Sequence, residues 1–206
     1  AIALGIPMGV LAAVKRGSGW DYFGRGLAIV GQAAPPFVTA LVAIWIFAVW
    51  LEWLPAGGRS PEFNWKEYLL PCMALGWGAA ASLMRLTRSS MLEVLDSEYI
   101  RLARAKGVNW NWVIYKHALR NALIVPVTSA LLTFSGWLNG ALVVEIVFSW
   151  PGIGYEALYR AVNDNDFPLL LGTVFIFILI YLVFATIADI AYTIIDPRVR
   201  LGDSSE

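Results

Sequence analysis

Few residues in this chain could carry chemistry, and their spacing rules out most reactions. The single histidine, His117, has neither a metal-spaced ligand nor a nucleophile near it in sequence. Its simplest role is a polar contact on a helix surface. Cys72 is the only cysteine, which excludes an internal disulfide framework and a cysteine-rich metal site. No Gly-x-Ser-x-Gly elbow occurs, and no Gly-x-x-x-x-Gly-Lys-Ser/Thr cradle for a nucleotide. No catalytic residue, metal or cofactor is therefore expected in this chain. What remains is polarity inside apolar runs. Glu145 and Asp189 interrupt such runs, and ionisable groups there are functional candidates by default. Both lie near the ends of their runs, where interfacial solvation or an arginine partner would satisfy them, so a structural role is favoured. Gln32, Ser135 and Asn139 are candidates for lining a polar path.

The elements that must position these residues follow from composition. Of 206 residues, 59% are hydrophobic and 15% charged, too little polar surface to cover a globule in water. The chain is expected to be an all-α, polytopic membrane helix bundle. Its formal net charge of zero offers no basic surface for nucleic acid. Apolar segments cover about 26–51, 68–86, 121–147 and 168–195, each long enough to cross a bilayer. A shorter run, 1–14, rises only about 21 Å against a hydrocarbon core of about 30 Å. It is read as a partial span of an N-terminally truncated chain, with further sequence expected before Ala1. Pro35, Pro36, Pro71 and Pro126 predict kinked spans, because each frees a backbone carbonyl. Gly136 and Gly140 form a Gly-x-x-x-Gly step, read as ordinary helix packing.

Orientation follows from counting cations. Alternating crossings put residues 15–25, 87–120 and the tail on one side, and twelve of the fifteen Lys and Arg residues fall there when Arg85 is included. Only Arg59, Lys66 and Arg160 fall on the other. The positive-inside rule makes the loop 87–120 and the C-terminus cytoplasmic.

That loop is too long and too apolar to be a bare connection. Leu92, Leu95, Tyr99, Leu102, Ala103 and Lys106 recur at helical steps, opposite Glu93, Ser97, Arg101 and Arg104, which predicts an amphipathic helix. Gly107 suits the left-handed residue that ends it, and Asn109 can cap a second helix through His117. Such a hairpin could lie on anionic lipid, pack against its own bundle, or dock on a partner protein. Beyond the next span, Tyr155 to Val162 predicts a short outer helix.

The run Glu98-Tyr99-Ile100-Arg101-Leu102-Ala103-Arg104-Ala105-Lys106-Gly107, followed by Lys116-His117-Ala118-Leu119-Arg120-Asn121-Ala122-Leu123, resembles the EAA loop of binding-protein-dependent ABC importer permeases. The dipeptide and oligopeptide branch is the nearest. Glu145 to Gly154 and Asp196 to Leu201 are similar to the same branch, extending the resemblance from about Gly5 to Leu201 and pointing to the first permease type of a pair. Arg101-Leu102-Ala103 stands where the general pattern has Glu-Ala-Ala, a departure shared by peptide-type permeases.

The resemblance implies a type I importer permease, with residues 1–201 forming the transmembrane domain and 202–206 a cytoplasmic tail. It implies a bacterial or archaeal plasma membrane, a second permease subunit, two ATPase subunits that bind the ATP, and an extracytoplasmic substrate-binding protein. It makes the hairpin a coupling helix, with Tyr99, Arg101, Leu102, Ala103, Lys106 and Gly107 as the ATPase-docking surface. The rivals are a solitary ion-coupled carrier or channel, which predicts midplane charges, and an intramembrane enzyme, which predicts a catalytic constellation. The spans supply neither.

Overall fold

The computed structural model describes residues 1–195; inside the helices, the side chains of 134–136, 138–140, 188–189 and 191–195 lie outside the described set. Every regular element described is helical. In order these are α1 (Ile2–Val14), α2 (Gly19–Ala33), α3 (Pro36–Trp50), α4 (Trp65–Leu95), α5 (Glu98–Ala105), α6 (residues 110–122), α7 (Ile124–Val147), α8 (residues 154–163) and α9 (Phe167–Ile195). Three turns are wound wider, as π-helix: Ile44–Trp50, Val113–Ala118 and Gly154–Tyr159.

By length and composition, Trp65–Leu95 and Phe167–Ile187 can each cross a membrane among the described residues, and the pair Gly19–Ala33 with Pro36–Trp50 makes a third if it forms one span. Where the sequence predicts one crossing over 26–51, the helix breaks before Pro36. Pro35 is extended, at φ −59° and ψ 148°, and Pro36 occupies the first helical position, where its missing N–H costs nothing. Pro71, by contrast, lies inside α4 without ending it.

The chain divides into two compact units. Of the described residues, the first holds 1–32, 79–133 and 187–195; the second holds 33–78 and 134–186. In the first, α1 lies flush on α4 because Gly5 and Gly9 have no side chain. A Cβ on Gly5 would lie 2.6 Å from the Ala80 carbonyl oxygen, and one on Gly9 2.6 Å from the Thr87 Cβ. Small residues continue this contact, with Ala12, Ala28 and Ala81 packed around Met84. A larger cluster joins Val10 and Ala13 to Met91, Ile100, Val113, Ile114, Ala118 and Ala122. In the second unit the core is Ala40, Ala43, Leu70, Ala74, Val144 and Phe148. There the connection after α3 is pinned by the Gly58 N–H donating to the Phe148 carbonyl at 2.7 Å, and Gly57 leaves room for that same carbonyl.

Candidate functional site

The loop predicted between the second and third full spans is a helix, turn, helix hairpin. The expected continuous helix from Leu92 to Lys106 is instead interrupted at Asp96 and Ser97. Ser97 is extended, at ψ 151°, and its hydroxyl donates to the Val94 carbonyl at 2.6 Å, which closes α4 and starts α5. The interruption rephases the two faces. Leu92 and Leu95 pack on the first unit's core, but in α5 the inward residue is Ile100, while Tyr99 and Leu102 are 42% and 58% exposed. The single amphipathic stripe drawn from the spacing is therefore corrected to two short stripes out of register.

Gly107 has φ +76° with open space around it, so its requirement is conformational rather than steric. Asn109 caps the next helix, its side-chain oxygen accepting the Asn111 N–H at 2.9 Å. Val113, Ile114 and Ala118 then turn inward onto Ile100 and Met91. Both helices of the hairpin are thus clipped to the end of α4 by one apolar cluster.

Of the residues predicted to dock a partner, Tyr99, Arg101, Leu102, Lys106 and Gly107 are exposed and Ala103 is half-buried. The hairpin brings them together on α5 and its terminal turn. Arg101 donates to Glu98 at 2.7 Å within α5, and Arg104 stacks over Trp110 at 4.3 Å from the ring centroid, across the Gly107 turn. Tyr99 meets His117 edge to face, with ring centroids 6.0 Å apart, so the lone histidine is an inter-helix contact.

The path-lining candidates divide differently. The Gln32 amide donates to the Ala28 carbonyl of its own helix at 3.1 Å. Ser135, Asn139 and the Gly136/Gly140 step lie outside the described side chains, as does Asp189, and the tail motif from Asp196 lies outside the described residues.

Sequence reasoning missed a joint that supports the hairpin. Asp21, in the first turn of α2, is 1% exposed, and Arg88 of α4 grips its two oxygens at 2.6 and 3.0 Å. The Gly17 N–H donates to the same carboxylate at 2.9 Å and Arg25 lies 3.4 Å away. Arg88 precedes Met91 by one turn, so the end of α4 carries both the ion pair to α2 and the packing under α5 and α6. The overlooked signal was an acid two residues into a helix that opens an apolar run.

Glu145 is half-buried, and among the described residues no arginine lies within ion-pair distance of it. Its Oε2 accepts the Tyr155 N–H at 2.8 Å, at the start of α8, and a Cβ on Gly152 would overlap the carboxyl group. Glu67 is likewise held by the hydroxyl and the N–H of Ser60. Trp150 packs edge to face on Tyr68 at 4.7 Å, with the Arg59 guanidinium 6.0 Å from its centroid.

The family model described as the inner membrane component of binding-protein-dependent transport systems matches residues 5–201. A protein of Brucella suis biovar 1 named as a peptide permease is 40% identical over 208 residues, covering 98% of this chain and 65% of the relative. The glutathione transport system permease protein of Salmonella typhimurium is 40% identical over 200 residues, and that of Escherichia coli (strain K12) 38%, each covering 97% of this chain and 64% of its own length. The chain thus spans just under two thirds of the relatives it matches. The resemblance carried by the Glu98 to Gly107 loop is borne out: this chain belongs to the family of binding-protein-dependent transport system inner membrane components.

Proposed function

We propose that the chain serves as a membrane-spanning permease subunit of an ATP-driven importer for peptides or similar small solutes. The observation that carries this is the α5 hairpin, clipped to α4 from below and exposing Tyr99, Arg101, Leu102 and Lys106, in a chain of this family. The names of the relatives support peptides as the substrate class. The partners are a second permease subunit, two ATPase subunits that bind and hydrolyse ATP, and an extracytoplasmic substrate-binding protein. The excess of Lys and Arg in residues 15–25 and 87–120 supports a cytoplasmic hairpin and C-terminus.

Mechanically, the hairpin takes up displacement of the ATPase. Ile100 presses on Met91, so a push on α5 is delivered to the end of α4, and Arg88 passes it to α2 through Asp21. Packed apolar contacts and a bidentate ion pair transmit movement because neither deforms continuously. Alternating access then arises from spans that move with α4.

The test replaces Gly107 in the full-length protein with its partners. Because only backbone conformation is at stake there, Gly107→Asn, which tolerates positive φ, is expected to keep substrate-stimulated ATP hydrolysis and uptake. Gly107→Val is expected to abolish both while leaving membrane insertion unchanged. Normal uptake by Gly107→Val would sink the proposal.

A further inference from the structure

Asn111, Trp112, Tyr115 and Lys116 line a shallow pocket on the outer face of α6, away from Val113, Ile114 and Ala118, which turn inward. The pocket has aromatic walls, with Trp112 58% and Tyr115 65% exposed, and a cationic rim, since the Lys116 ammonium sits 4.8 Å over the Trp112 ring. Asn111 and Tyr115 add an amide and a hydroxyl. Arg120 follows Lys116 by one turn on the same side, and it too is exposed. Among the described residues neither cation has a carboxylate within ion-pair distance, unlike Arg16, Arg25, Arg88, Arg101 and Arg160.

We infer that this face of α6 binds the phosphate headgroup of an anionic phospholipid in the inner leaflet. Charge complementarity is the first argument: an uncompensated ammonium and guanidinium, one turn apart, call for an anion. The second is continuity with the membrane. Leu123 donates to the Leu119 carbonyl at 2.9 Å and Val127 to that of Leu123 at 2.9 Å, so α6 leads directly into the apolar α7. Arg120 lies about 6 Å of helix rise before Ile124, within the depth of a headgroup layer, and Lys116 lies one turn further out. The third is the chemistry of the walls. Trp and Tyr favour the bilayer interface, where one end of the ring is dry and the other wet, and the Lys116 ammonium over the Trp112 ring sets a cation beside that aromatic wall.

This inference rests on the cytoplasmic orientation proposed above, and assigns α6 to lipid while α5 meets the ATPase. Lipid so held would fix the height of the hairpin relative to the membrane surface.

The experiment uses the full-length permease with its partner subunits, reconstituted in vesicles of phosphatidylcholine with and without phosphatidylglycerol. A photoactivatable side chain is introduced at Asn111 in one sample and at Leu102 in another, and the adducts are identified by mass. The expected result is a phosphatidylglycerol adduct at Asn111 and an ATPase adduct at Leu102. Lys116→Gln is expected to lower the lipid adduct about fivefold, and Arg120→Gln by a similar factor, without changing the Leu102 adduct. Added inorganic phosphate should not compete, since a free anion lacks the membrane that holds the headgroup there. An ATPase or partner-permease adduct at Asn111, equal labelling by phosphatidylcholine, or an unchanged yield in Lys116→Gln would overturn the inference. Loss of the ATPase adduct at Leu102 with the lipid adduct retained would instead count against the coupling role of α5 alone.

Discussion

The carboxylates that tie down the backbone in the two units, Asp21 in the first and Glu67 and Glu145 in the second, are satisfied in opposite ways. In the first, Asp21 is answered by charge: Arg88 from a helix distant in sequence, seconded by Arg25. In the second, the hydrogen-bond donors to Glu67 and Glu145 are neutral, Ser60 and the Tyr155 N–H, seven and ten residues away. The difference is one of span and of consequence. A long-range charge pair ties two elements together and fails when either half goes, whereas a carboxylate accepting from a local N–H shapes a turn and can be replaced by any similar acceptor. The unit that carries the hairpin is built around the first kind of joint.

The largest effect should therefore come from halving that joint. Asp21→Asn leaves Arg88 with its charge and no counter-charge in a site that is nearly dry on one side. Arg88 keeps 19% side-chain exposure, so the loss is set toward the low end of buried pairs, about 3 kcal/mol. The measurement is the midpoint of thermal unfolding of the full-length protein in mild detergent. Adding Arg88→Met to Asp21→Asn should restore part of the loss, because the double variant removes the stranded cation. Strictly additive losses would mean that the two side chains do not act as a pair.

A smaller effect is expected where the first unit relies on shape. Gly9→Leu drives a side chain into Thr87 and the Met84 carbonyl, and overpacking of this kind costs about 1–3 kcal/mol. Gly26→Ala, with nothing within reach of its Cβ, should stabilise α2 by about 0.5–1 kcal/mol. If the two substitutions shift the unfolding midpoint alike, the close approach of α1 to α4 is not what holds them.

These joints were unequally legible in the sequence. The helical class, the hairpin, the turn at Gly107 and the cap at Asn109 follow from composition, periodicity and local residue type, all of which act over a few residues. The pairing of Asp21 with Arg88 does not, because nothing in a single sequence marks which of many cations a lone acid will meet across 67 positions. Gly5 and Gly9 have the same Gly-x-x-x-Gly spacing that drew attention to Gly136 and Gly140. Spacing alone shows that a close approach is possible, and only the partner surface on α4 decides where it occurs. The face of α5 was misassigned for a related reason. Periodicity assumes an unbroken helix, and the extended Ser97 reset the phase so that Ile100, rather than Tyr99 and Leu102, turned inward.

The smallest effects should appear in the second unit, and their pattern sharpens the contrast most. Glu145→Gln keeps a carbonyl oxygen for the Tyr155 N–H, so it should cost no more than about 1 kcal/mol, against about 3 for Asp21→Asn. Glu145→Ala removes the acceptor and should cost somewhat more, about 1–2 kcal/mol. The decisive partner is Gly152. Alone, Gly152→Ala forces its methyl against the Glu145 carboxyl and destabilises the start of α8. In the Glu145→Ala background the obstruction is gone, and the same substitution should be close to neutral. The unfolding midpoints of the four proteins test this cycle. A carboxylate that acts by its charge would make Glu145→Gln as damaging as Glu145→Ala and leave Gly152→Ala equally harmful in both backgrounds, and the two units would then hold their acids by the same means after all.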